Sequence, residues 1–345
     1  MRIGVMTLGD WMVDPVTGTG ESQAQRFAAI VDAAVAADRS GLYSFNIGEH
    51  HFIDYIVSAP PVVLAAIAAR TERIRLGTAV TLMANLDPVR VAEDYATVDL
   101  LSGGRLELVA GRGNFFAHTF DAFGQDVEES RARFDEGVDL LLDLWEGETI
   151  AWEGKFRPPL RGYTAQPRPL QSPPPVWIGG GSSQESAELA ARRGLGLMLP
   201  SAFGNPEVFM PVVDFYLERF AAHGHDGIEP RIGCCWHVSV GPEGPATRAR
   251  WEPRYGRYHQ WMNELLRQVN PQLPNFLKPF DYDWLLSKGP AIAGSPAEVV
   301  DRVGSMGEML GADLHLLYLD MGGMPGGEFV DMVELIGAEV APQLA

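Results

Sequence analysis

Two histidines stand side by side behind a carboxylate in the run Gly48-Glu49-His50-His51-Phe52. The run of residues 42–47 before them is short and mainly apolar, which is typical of a buried β-strand. The pair is therefore predicted to lie where a strand passes into a loop, the usual place for chemistry in an α/β protein. A neutral imidazole beside a carboxylate can exchange a proton with a reacting group near neutral pH. His50 and Glu49 are the candidate catalytic residues.

Two other interpretations of the histidine pair stay open. Both rings could be structural, with their nitrogen atoms satisfied inside the core. A zinc site is less consistent with the sequence, because adjacent residues of an extended chain point to opposite faces and no HExxH or CxxC spacing supplies further ligands. No metal is therefore expected.

The charge and the cysteine content exclude several classes of partner and location. The formal net charge is −18, whereas binding to nucleic acid or to an anionic membrane depends on clustered lysine and arginine. Cys234 and Cys235, the two cysteines, are adjacent and give no disulfide framework. No apolar run approaches 18 residues, and no basic segment with a cleavage site opens the chain. The sequence predicts a soluble, cytoplasmic protein.

Short apolar runs alternate with helical patterns along the chain, which predicts parallel strands joined by helices. Eight strands are predicted, at 3–8, 42–47, 74–80, 105–110, 176–178, 195–199, 232–240 and 314–319. Eight is the number that closes a (β/α)8 TIM barrel, and 345 residues with 46% hydrophobic content suffice for one. We expect a single α/β domain over residues 1–345.

Two stretches exceed a minimal barrel and are predicted to be insertions. The first, about 151–175, is rich in proline and follows the helix after strand four; the second, about 241–293, follows strand seven and carries many aromatic residues. Long loops in compact domains are usually functional. The second insertion is expected to be an apolar lid over the barrel mouth or a contact between subunits.

Glycine-rich turns at the ends of strands four and five could hold an anion. Gly111 and Gly113 flank Arg112, whose guanidinium can bind phosphate in a bidentate manner. Strand five runs into Gly179-Gly180-Gly181-Ser182-Ser183-Gln184-Glu185-Ser186, where backbone N–H groups at a helix N-terminus favour an anion. A capping box from Ser182 to Glu185 would explain the second motif without a ligand. Together the two motifs suggest a phosphorylated cofactor with its reactive ring toward His50.

The sequence resembles the bacterial luciferase-like flavin monooxygenases. Seven motifs carry the resemblance in the same order and at similar spacings, at 48–52, 76–80, 87–94, 100–105, 111–113, 123–131 and 191–195. The resemblance covers the first 200 residues, fades through 241–293 and returns weakly at the end. One departure is Gly111, which stands where luciferase has a cysteine, so luminescence is not expected.

The resemblance implies a TIM barrel that binds FMN at the carboxyl ends of its strands. Four residues, Arg112, Arg131, Ser183 and Ser186, would contact the flavin phosphate, and the turns at Gly113 and Gly181 would approach the cofactor. The Ala79-Val80 peptide would be cis and lie below the flavin ring. His50 would stand at the reactive edge of the flavin, with Glu49 orienting it. Trp11, His51, Phe115 and Phe116 would line the substrate pocket.

The activity that the resemblance implies is a two-component monooxygenase. Reduced FMN, supplied by a separate flavin reductase, would react with O₂ to form a C4a-hydroperoxide that oxygenates a small, apolar organic substrate. A hydride-transfer enzyme that uses the deazaflavin F420 is one alternative, and a non-catalytic flavin-binding protein is another. A homodimer is the expected assembly.

Overall fold

The computed structural model of the protein describes residues 1–181, 183–270 and 279–345. Within them, eight parallel strands close into a barrel, which confirms the predicted (β/α)8 architecture. The ring consists of β1 (Arg2–Thr7), β2 (Ser44–Ile47), β3 (Arg75–Thr78), β5 (Leu106–Gly111), β8 (Val176–Gly179), β9 (Gly196–Leu199), β10 (Ile232–Val240) and β12 (Leu314–Tyr318). Pairing of β1 with β12 closes it.

Four further strands in the described ranges lie outside this ring. They are β4 (Thr81–Leu82), which pairs with β5, the hairpin strands β6 (Ile150–Trp152) and β7 (Leu160–Tyr163), and β11 (Ala291–Gly294), which pairs with the second half of β10.

Helices cover the outside of the barrel and its mouth. They are α1 (Gln23–Arg39), α2 (Pro60–Ala68), α3 (Pro88–Ser102), α4 (Ala117–Ala122), α5 (Ser130–Glu146), α6 (Gln184–Arg192), α7 (Met210–His223), α8 (Gly244–Val269), α9 (Tyr282–Ser287), α10 (Pro296–Leu310), α11 (Gly326–Leu335) and α12 (Ala341–Leu344). Short 3₁₀ turns span Val127–Glu129 and Pro206–Phe209, and a π turn spans Ile336–Val340. None of the helices in the described ranges combines the length and the apolar character that crossing a membrane requires.

Alternation along each strand divides the core into two layers. Ile3 and Val5 of β1 pack in the layer between strands and helices, whereas Met6 and Leu8 belong to a second cluster inside the barrel. All nine residues of β10 are buried, as expected of a parallel strand covered on both faces. The inner cluster extends from the strands to the aromatic face of α8, so the barrel interior and the inner face of α8 form one continuous apolar core.

The third strand differs from its predicted range of 74–80. β3 ends at Thr78, and β4 follows after the Ala79-Val80 peptide, which is cis as the resemblance implies. The two short strands contact different parts of β5: β3 pairs with Leu106 and Glu107, and β4 pairs with Ala110 and Gly111. The chain is therefore redirected at 79–80, next to the mouth of the barrel.

The two predicted insertions have regular structure. The first contains the β6–β7 hairpin. The second is not a long loop, because α8 occupies 26 of its residues and continues through Pro253. Residues 271–278 of this insertion, including the aromatic Phe276, lie outside the described residues. Its roles as a lid or as a subunit contact stay predictions.

A buried ion pair holds α8 against the rest of the barrel. Arg254 donates from Nε to Asp14 Oδ1 at 2.9 Å and from an Nη atom to Asp14 Oδ2 at 2.8 Å, and it also contacts Glu328 at 2.7 Å. The Arg254 and Asp14 side chains are 2% and 0% exposed. Burial alone would lower the pKa of Arg254. The hydrogen bonds to Asp14 and Glu328 have the larger combined effect and raise the pKa above its ordinary value. The described part of the insertion is thus fixed both to the segment after β1 and to α11.

Candidate active site

The candidate residues meet at one end of the barrel. Glu49 and His50 follow β2, the Ala79-Val80 peptide follows β3, Arg112 follows β5, and the glycine-rich turn follows β8. All these strands are parallel, so their carboxyl ends open onto the same face. The arrangement is the one that the strand assignment predicts.

His50 lies between two aromatic rings. Its centroid is 4.6 Å from that of Tyr55 and 5.0 Å from that of Phe116, which approaches nearly at right angles. Burial, with a smaller effect from the nearby imidazoles of His51 and His118, lowers the pKa of His50 to about 3. His50 is therefore neutral at physiological pH, with one nitrogen able to donate and the other able to accept a hydrogen bond.

Glu49 contacts His51, which corrects the expectation that it orients His50. The carboxylate is 2% exposed; its Oε1 lies 3.0 Å from His51 Nε2, and its Oε2 accepts a hydrogen bond from the Leu82 N–H at 3.0 Å. Residues at i and i+2 of an extended chain lie on the same side, whereas neighbours do not, which accounts for the choice of partner. Glu49 thus connects the turn after β2 to β4.

The Val80 side chain occupies the space beside two glycines, Gly111 and Gly179. An ideal Cβ on Gly111 would lie 2.3 Å from Val80 Cγ2, and one on Gly179 would lie 3.1 Å from Val80 Cγ1. The glycine at 111 was expected to let the backbone approach a ligand; in the structure it makes room for Val80. Val80 O also accepts a hydrogen bond from the Glu49 N–H at 3.1 Å.

Arg131 on α5 and two serines of α6 form a cluster that we call the phosphate cradle (Arg131, Ser183 and Ser186). One Nη atom of Arg131 donates to Ser183 Oγ at 3.1 Å and to Ser186 Oγ at 3.0 Å. Ser183 is the N-cap of α6 and accepts from the Ser186 N–H. The predicted capping residue Ser182 lies outside the described residues. A guanidinium, two hydroxyls and a helix N-terminus are together suited to an anion.

Arg112 stands beside the phosphate cradle without a partner of its own. It forms no hydrogen bond or salt bridge with any residue in the described ranges. Its pKa is lowered by burial and by the positive charge of Arg131, and the nearby carboxylates of Asp135 and Glu185 oppose this shift. Two neighbouring guanidiniums repel each other unless an anion lies between them. The turn that carries Arg112 requires glycine at 113, where φ is +75° and a Cβ would lie 2.7 Å from Leu82 Cδ2.

The other predicted residues are spread around this centre. Gly181 is open, since a Cβ there would meet nothing within 4 Å. Phe115 packs near Phe203, with ring centroids 6.4 Å apart, and the His51 ring meets the edge of Phe123 at 5.0 Å. The Trp11 indole donates to the Glu21 carbonyl and is 37% exposed. Of the four predicted pocket residues, Phe116 is therefore the one that packs against His50.

A second group of polar residues, which was not predicted from the sequence, lies inside the barrel. We call it the phenol cluster: Tyr55, His237, Tyr255, Tyr258 and Tyr318. His237 Nδ1 is 2.8 Å from Tyr255 Oη, and Tyr55 donates to Tyr258 Oη at 3.0 Å. The Nε2 atom of His237 and the hydroxyl of Tyr318 are buried and have no partner among the described residues. Burial lowers the pKa of His237 to about 3, so its ring is neutral.

The phenol cluster had a signal in the sequence. Trp251, Tyr255, Tyr258 and Met262 recur at i, i+4, i+7 and i+11, the spacing of one helical face, and all four are buried in α8. Their pairing with His237 on β10 could not be predicted, because it depends on how α8 folds back over the strand it follows.

Residues 1–313 match the sequence profile of the luciferase-like monooxygenases. The chain belongs to this family. It is 28% identical over 319 residues to the oxygenase component of the flavin-dependent trigonelline monooxygenase of Acinetobacter baylyi, covering 88% of this chain and 86% of that protein. The crystal structure of the monooxygenase RslO1 from Streptomyces bottropensis matches over 100% of both chains, with 29% identity and a TM-score of 0.87.

The chain is also similar to a protein named for the deazaflavin cofactor. The chain is 31% identical over 219 residues, 61% of each protein, to the F420-dependent glucose-6-phosphate dehydrogenase of Kineococcus radiotolerans. The relatives thus include one protein named for a flavin and one named for the deazaflavin F420.

Proposed function

We propose that the protein is the oxygenase component of a two-component monooxygenase, which takes reduced FMN from a separate reductase and oxygenates a small, apolar organic substrate. The observation that carries the proposal is the phosphate cradle with Arg112 unpaired beside it, on the same barrel face as a neutral His50. The similarity to a protein named as an oxygenase component supports the separate reductase.

The residues present fit a flavin phosphate. Arg112 and Arg131 supply two guanidiniums, Ser183 and Ser186 supply hydroxyls, and the N-terminus of α6 supplies backbone donors. The backbone at Gly181 leaves room for close approach, whereas the space beside Gly113 is taken by Leu82. The Ala79-Val80 peptide presents small groups at the mouth, where the flavin ring is to rest.

His50 and the surrounding rings would control protons and water. Bound reduced flavin supplies the reaction with O₂. The neutral imidazole can donate or accept one proton at the edge of the cofactor without first changing its charge state. Phe116 and Tyr55 hold that ring, while the aromatic face of α8 excludes water from the interior. Glu49 acts indirectly, by fixing His51 and the Leu82 backbone.

The substrate is proposed to bind beside the apolar cluster under α8. Phe203 contacts both Phe115 and His237 there, and the partnerless His237 Nε2 and Tyr318 hydroxyl offer hydrogen bonds to a polar group of the substrate. The protein is further proposed to act as a homodimer.

Anaerobic calorimetric titration tests the phosphate assignment. Arg112→Lys should weaken binding of reduced FMN at least tenfold, about 1.4 kcal/mol, and leave reduced riboflavin unchanged, because lysine replaces a bidentate contact poorly. Arg302→Lys is the matched control: Arg302 on α10 is also half-buried with its pKa lowered by burial, but it donates to the Gly289 carbonyl oxygen. Equal FMN affinity in wild type and Arg112→Lys would remove Arg112 from the site.

Isotopic labelling tests the reaction class. The protein, a flavin reductase, NADH and FMN are supplied with ¹⁸O₂ and a panel of terpenes, ketones and N-heterocycles. An oxygenase transfers one ¹⁸O atom to the product. Turnover with F420 and without ¹⁸O incorporation would instead favour hydride transfer, and tight FMN binding without turnover would favour a flavin-binding protein.

A further inference from the structure

His237 and Tyr318 lie beside each other on neighbouring strands of the barrel. The register of β10 and β12 pairs their Cα atoms directly, and their ring centroids are 5.7 Å apart. Cross-strand partners point to the same face of a sheet. Tyr318 belongs to the inner cluster, as does Cys235, which stands two residues before His237. The two side chains therefore enter the barrel interior side by side.

Both side chains carry a polar atom without a protein partner. His237 and Tyr318 are 2% and 1% exposed, and neither His237 Nε2 nor the Tyr318 hydroxyl forms a hydrogen bond with any part of the chain that the structure describes. Buried polar groups in native proteins are nearly always hydrogen-bonded, and leaving such a bond unmade costs free energy. Two such groups at one register position indicate a place where a ligand supplies the partner.

The contact with Tyr255 decides which proton His237 offers. Tyr255 is fully buried, and the one partner of its hydroxyl among the described residues is His237 Nδ1 at 2.8 Å. If Nδ1 carried the proton of the neutral ring, the Tyr255 O–H would have no acceptor and Nε2 would have no donor. If Tyr255 donates to Nδ1, both of these atoms are satisfied and the Nε2–H alone lacks a partner. His237 is therefore a hydrogen-bond donor at Nε2.

Tyr318 supplies a second hydrogen-bond donor. Burial holds the pKa of Tyr318 well above its usual value, and the charges of Asp10 and Asp320 add to this shift, so the phenol keeps its proton. Arg26, whose positive charge opposes the shift, is paired with Asp320 at 2.6 Å. An anionic substrate would lose its hydration beside these carboxylates, and the guanidinium there is already paired. The surroundings favour an uncharged substrate.

The two donors belong to the same set of contacting rings as His50. The Tyr55 ring lies 4.6 Å from that of His50, centroid to centroid, and the Tyr55 hydroxyl donates to Tyr258 Oη at 3.0 Å. The Tyr258 ring in turn lies 5.5 Å from that of His237 and 6.0 Å from that of Tyr318. A substrate oxygen held by the two donors thus lies in the same part of the barrel as the residue proposed to transfer protons.

We propose that the substrate is an uncharged, apolar compound with a carbonyl oxygen, which accepts hydrogen bonds from His237 Nε2–H and from the Tyr318 hydroxyl. A carbonyl oxygen has two lone pairs and no proton, so it satisfies both donors at once. A hydrocarbon satisfies neither donor, and a hydroxyl group adds a third. The inference rests on the proposed function, because it takes the barrel interior under α8 to be the substrate site, and it names the substrate class of that site.

Matched ketones and methylene analogues test the acceptor. Cyclohexanone, camphor and adamantanone are compared with the analogues in which an exocyclic CH₂ group replaces the oxygen. Ligand-observed NMR titration of the protein, with and without oxidised FMN, measures binding and needs no turnover. The best-fitting ketone should bind at least about tenfold more tightly than its analogue, since each net hydrogen bond contributes roughly threefold to tenfold. Without the donors, the less polar analogue would bind more tightly.

Tyr318→Phe is the decisive variant, because the hydroxyl that it removes has no partner among the described residues. It should weaken ketone binding about threefold to tenfold, leave the methylene analogue unchanged and not lower the urea midpoint. Tyr216→Phe is the matched control: Tyr216 is likewise fully buried, but it lies on α7 and donates to the Leu195 carbonyl oxygen at 2.8 Å. The control should keep the ketone preference of the wild type.

Infrared difference spectra examine the carbonyl directly. In the wild type, the C=O stretch of the bound ketone should lie below its frequency in hexane, because hydrogen bonds to the oxygen weaken the double bond. This shift should shrink in Tyr318→Phe and stay unchanged in Tyr216→Phe. An unchanged frequency in Tyr318→Phe would overturn the assignment of its hydroxyl to the substrate.

The binding data also separate this inference from the proposed function. Ketones that bind no better than their methylene analogues, or not at all, would overturn the carbonyl site, as would equal weakening of both compounds by Tyr318→Phe. Transfer of ¹⁸O to carbonyl-free compounds without a preference for ketones would leave the oxygenase in place and remove the carbonyl site. The expected ketone preference without ¹⁸O transfer to any compound would leave the binding site and remove the oxygenase.

Discussion

The side chain of Val80 occupies the place that a Cβ atom on residue 111 would need, at a distance of 2.3 Å from an ideal Cβ to Val80 Cγ2. Gly111→Ala should therefore displace Val80 and weaken binding of reduced FMN about tenfold, with a loss of about 1–3 kcal/mol in unfolding free energy from overpacking. Calorimetric titration and urea unfolding measure the two effects.

The double variant Val80→Ala/Gly111→Ala is the matched test of that contact. Removing the Val80 methyl groups clears the space, so the double variant should recover most of the FMN affinity that Gly111→Ala loses. Purely additive losses would show that residue 111 acts on the cofactor without Val80.

His50 should be essential for turnover and dispensable for folding. His50→Ala removes a neutral proton donor and acceptor, so turnover should fall by about 10² or more, while the melting temperature stays within a few degrees. Because its pKa is about 3, His50 should contribute no inflection to the wild-type rate between pH 6 and 9. A fully active variant, or one that fails to fold, would return His50 to a structural role.

Acid should destabilise the protein through its buried histidines. The pKa of His237 is lowered from 6.5 to about 3 by burial and by the neighbouring His259. Below pH 6.5 the unfolded chain takes up a proton that the folded chain does not, so the contribution of neutral His237 is complete above that pH. It is lost toward pH 3 at up to about 1.4 kcal/mol per pH unit.

The variant His237→Phe isolates the contribution of His237 to the pH dependence of stability. Urea unfolding of both proteins at intervals from pH 7 to 4.5 should show a shallower loss of stability in the variant, whatever its absolute stability. Asp10 acts in the opposite sense, since burial raises its pKa to about 7 and its contribution is lost as pH rises from 3.8 toward 7. It is present in both proteins and cancels in the comparison. Parallel curves would contradict the prediction.

The Arg254–Asp14 pair should be worth far more than a neighbouring surface pair. Arg254→Ala leaves a buried carboxylate without its partner and should lower the unfolding free energy by about 3–5 kcal/mol. Arg250→Ala is the control, because Arg250 also contacts Glu328 but is 56% exposed, and its loss should cost less than about 1 kcal/mol. Hydrogen exchange in α8 should rise in the first variant alone; equal exchange would show that other contacts hold α8.

The spacing of apolar residues predicted the barrel strands well and helix α8 of the second insertion poorly. The apolar runs located all eight barrel strands to within a few residues, because parallel strands buried on both faces leave a continuous signal. Pro253 and Gly256 obscured the helical spacing in α8, and the packing of its aromatic face against β10 and β12 overrides their low helix propensity.

Side-chain partners were the harder part of the site. Motif positions and the family resemblance placed His50, Arg112, Arg131 and the cis peptide at one barrel face. Glu49 contacts His51 and not His50. This choice follows from the alternation of side chains along an extended chain and could have been predicted. The pairing of His237 with Tyr255 joins a strand to a helix that folds back onto it, and the sequence holds no local trace of it.

The ion pair between Arg254 and Asp14 also bears on the order in which parts of the barrel can form while the chain is being synthesised. Asp14 and Arg254 are separated by 240 positions, which a ribosome needs roughly 12 to 48 s to translate at about 5–20 residues per second. Until then Asp14 cannot form its ion pair with Arg254, and β1 cannot yet pair with β12. The nascent N-terminal segment therefore stays an open, incomplete sheet for most of translation, and closure of the ring is a late step that depends on the C-terminal quarter of the chain.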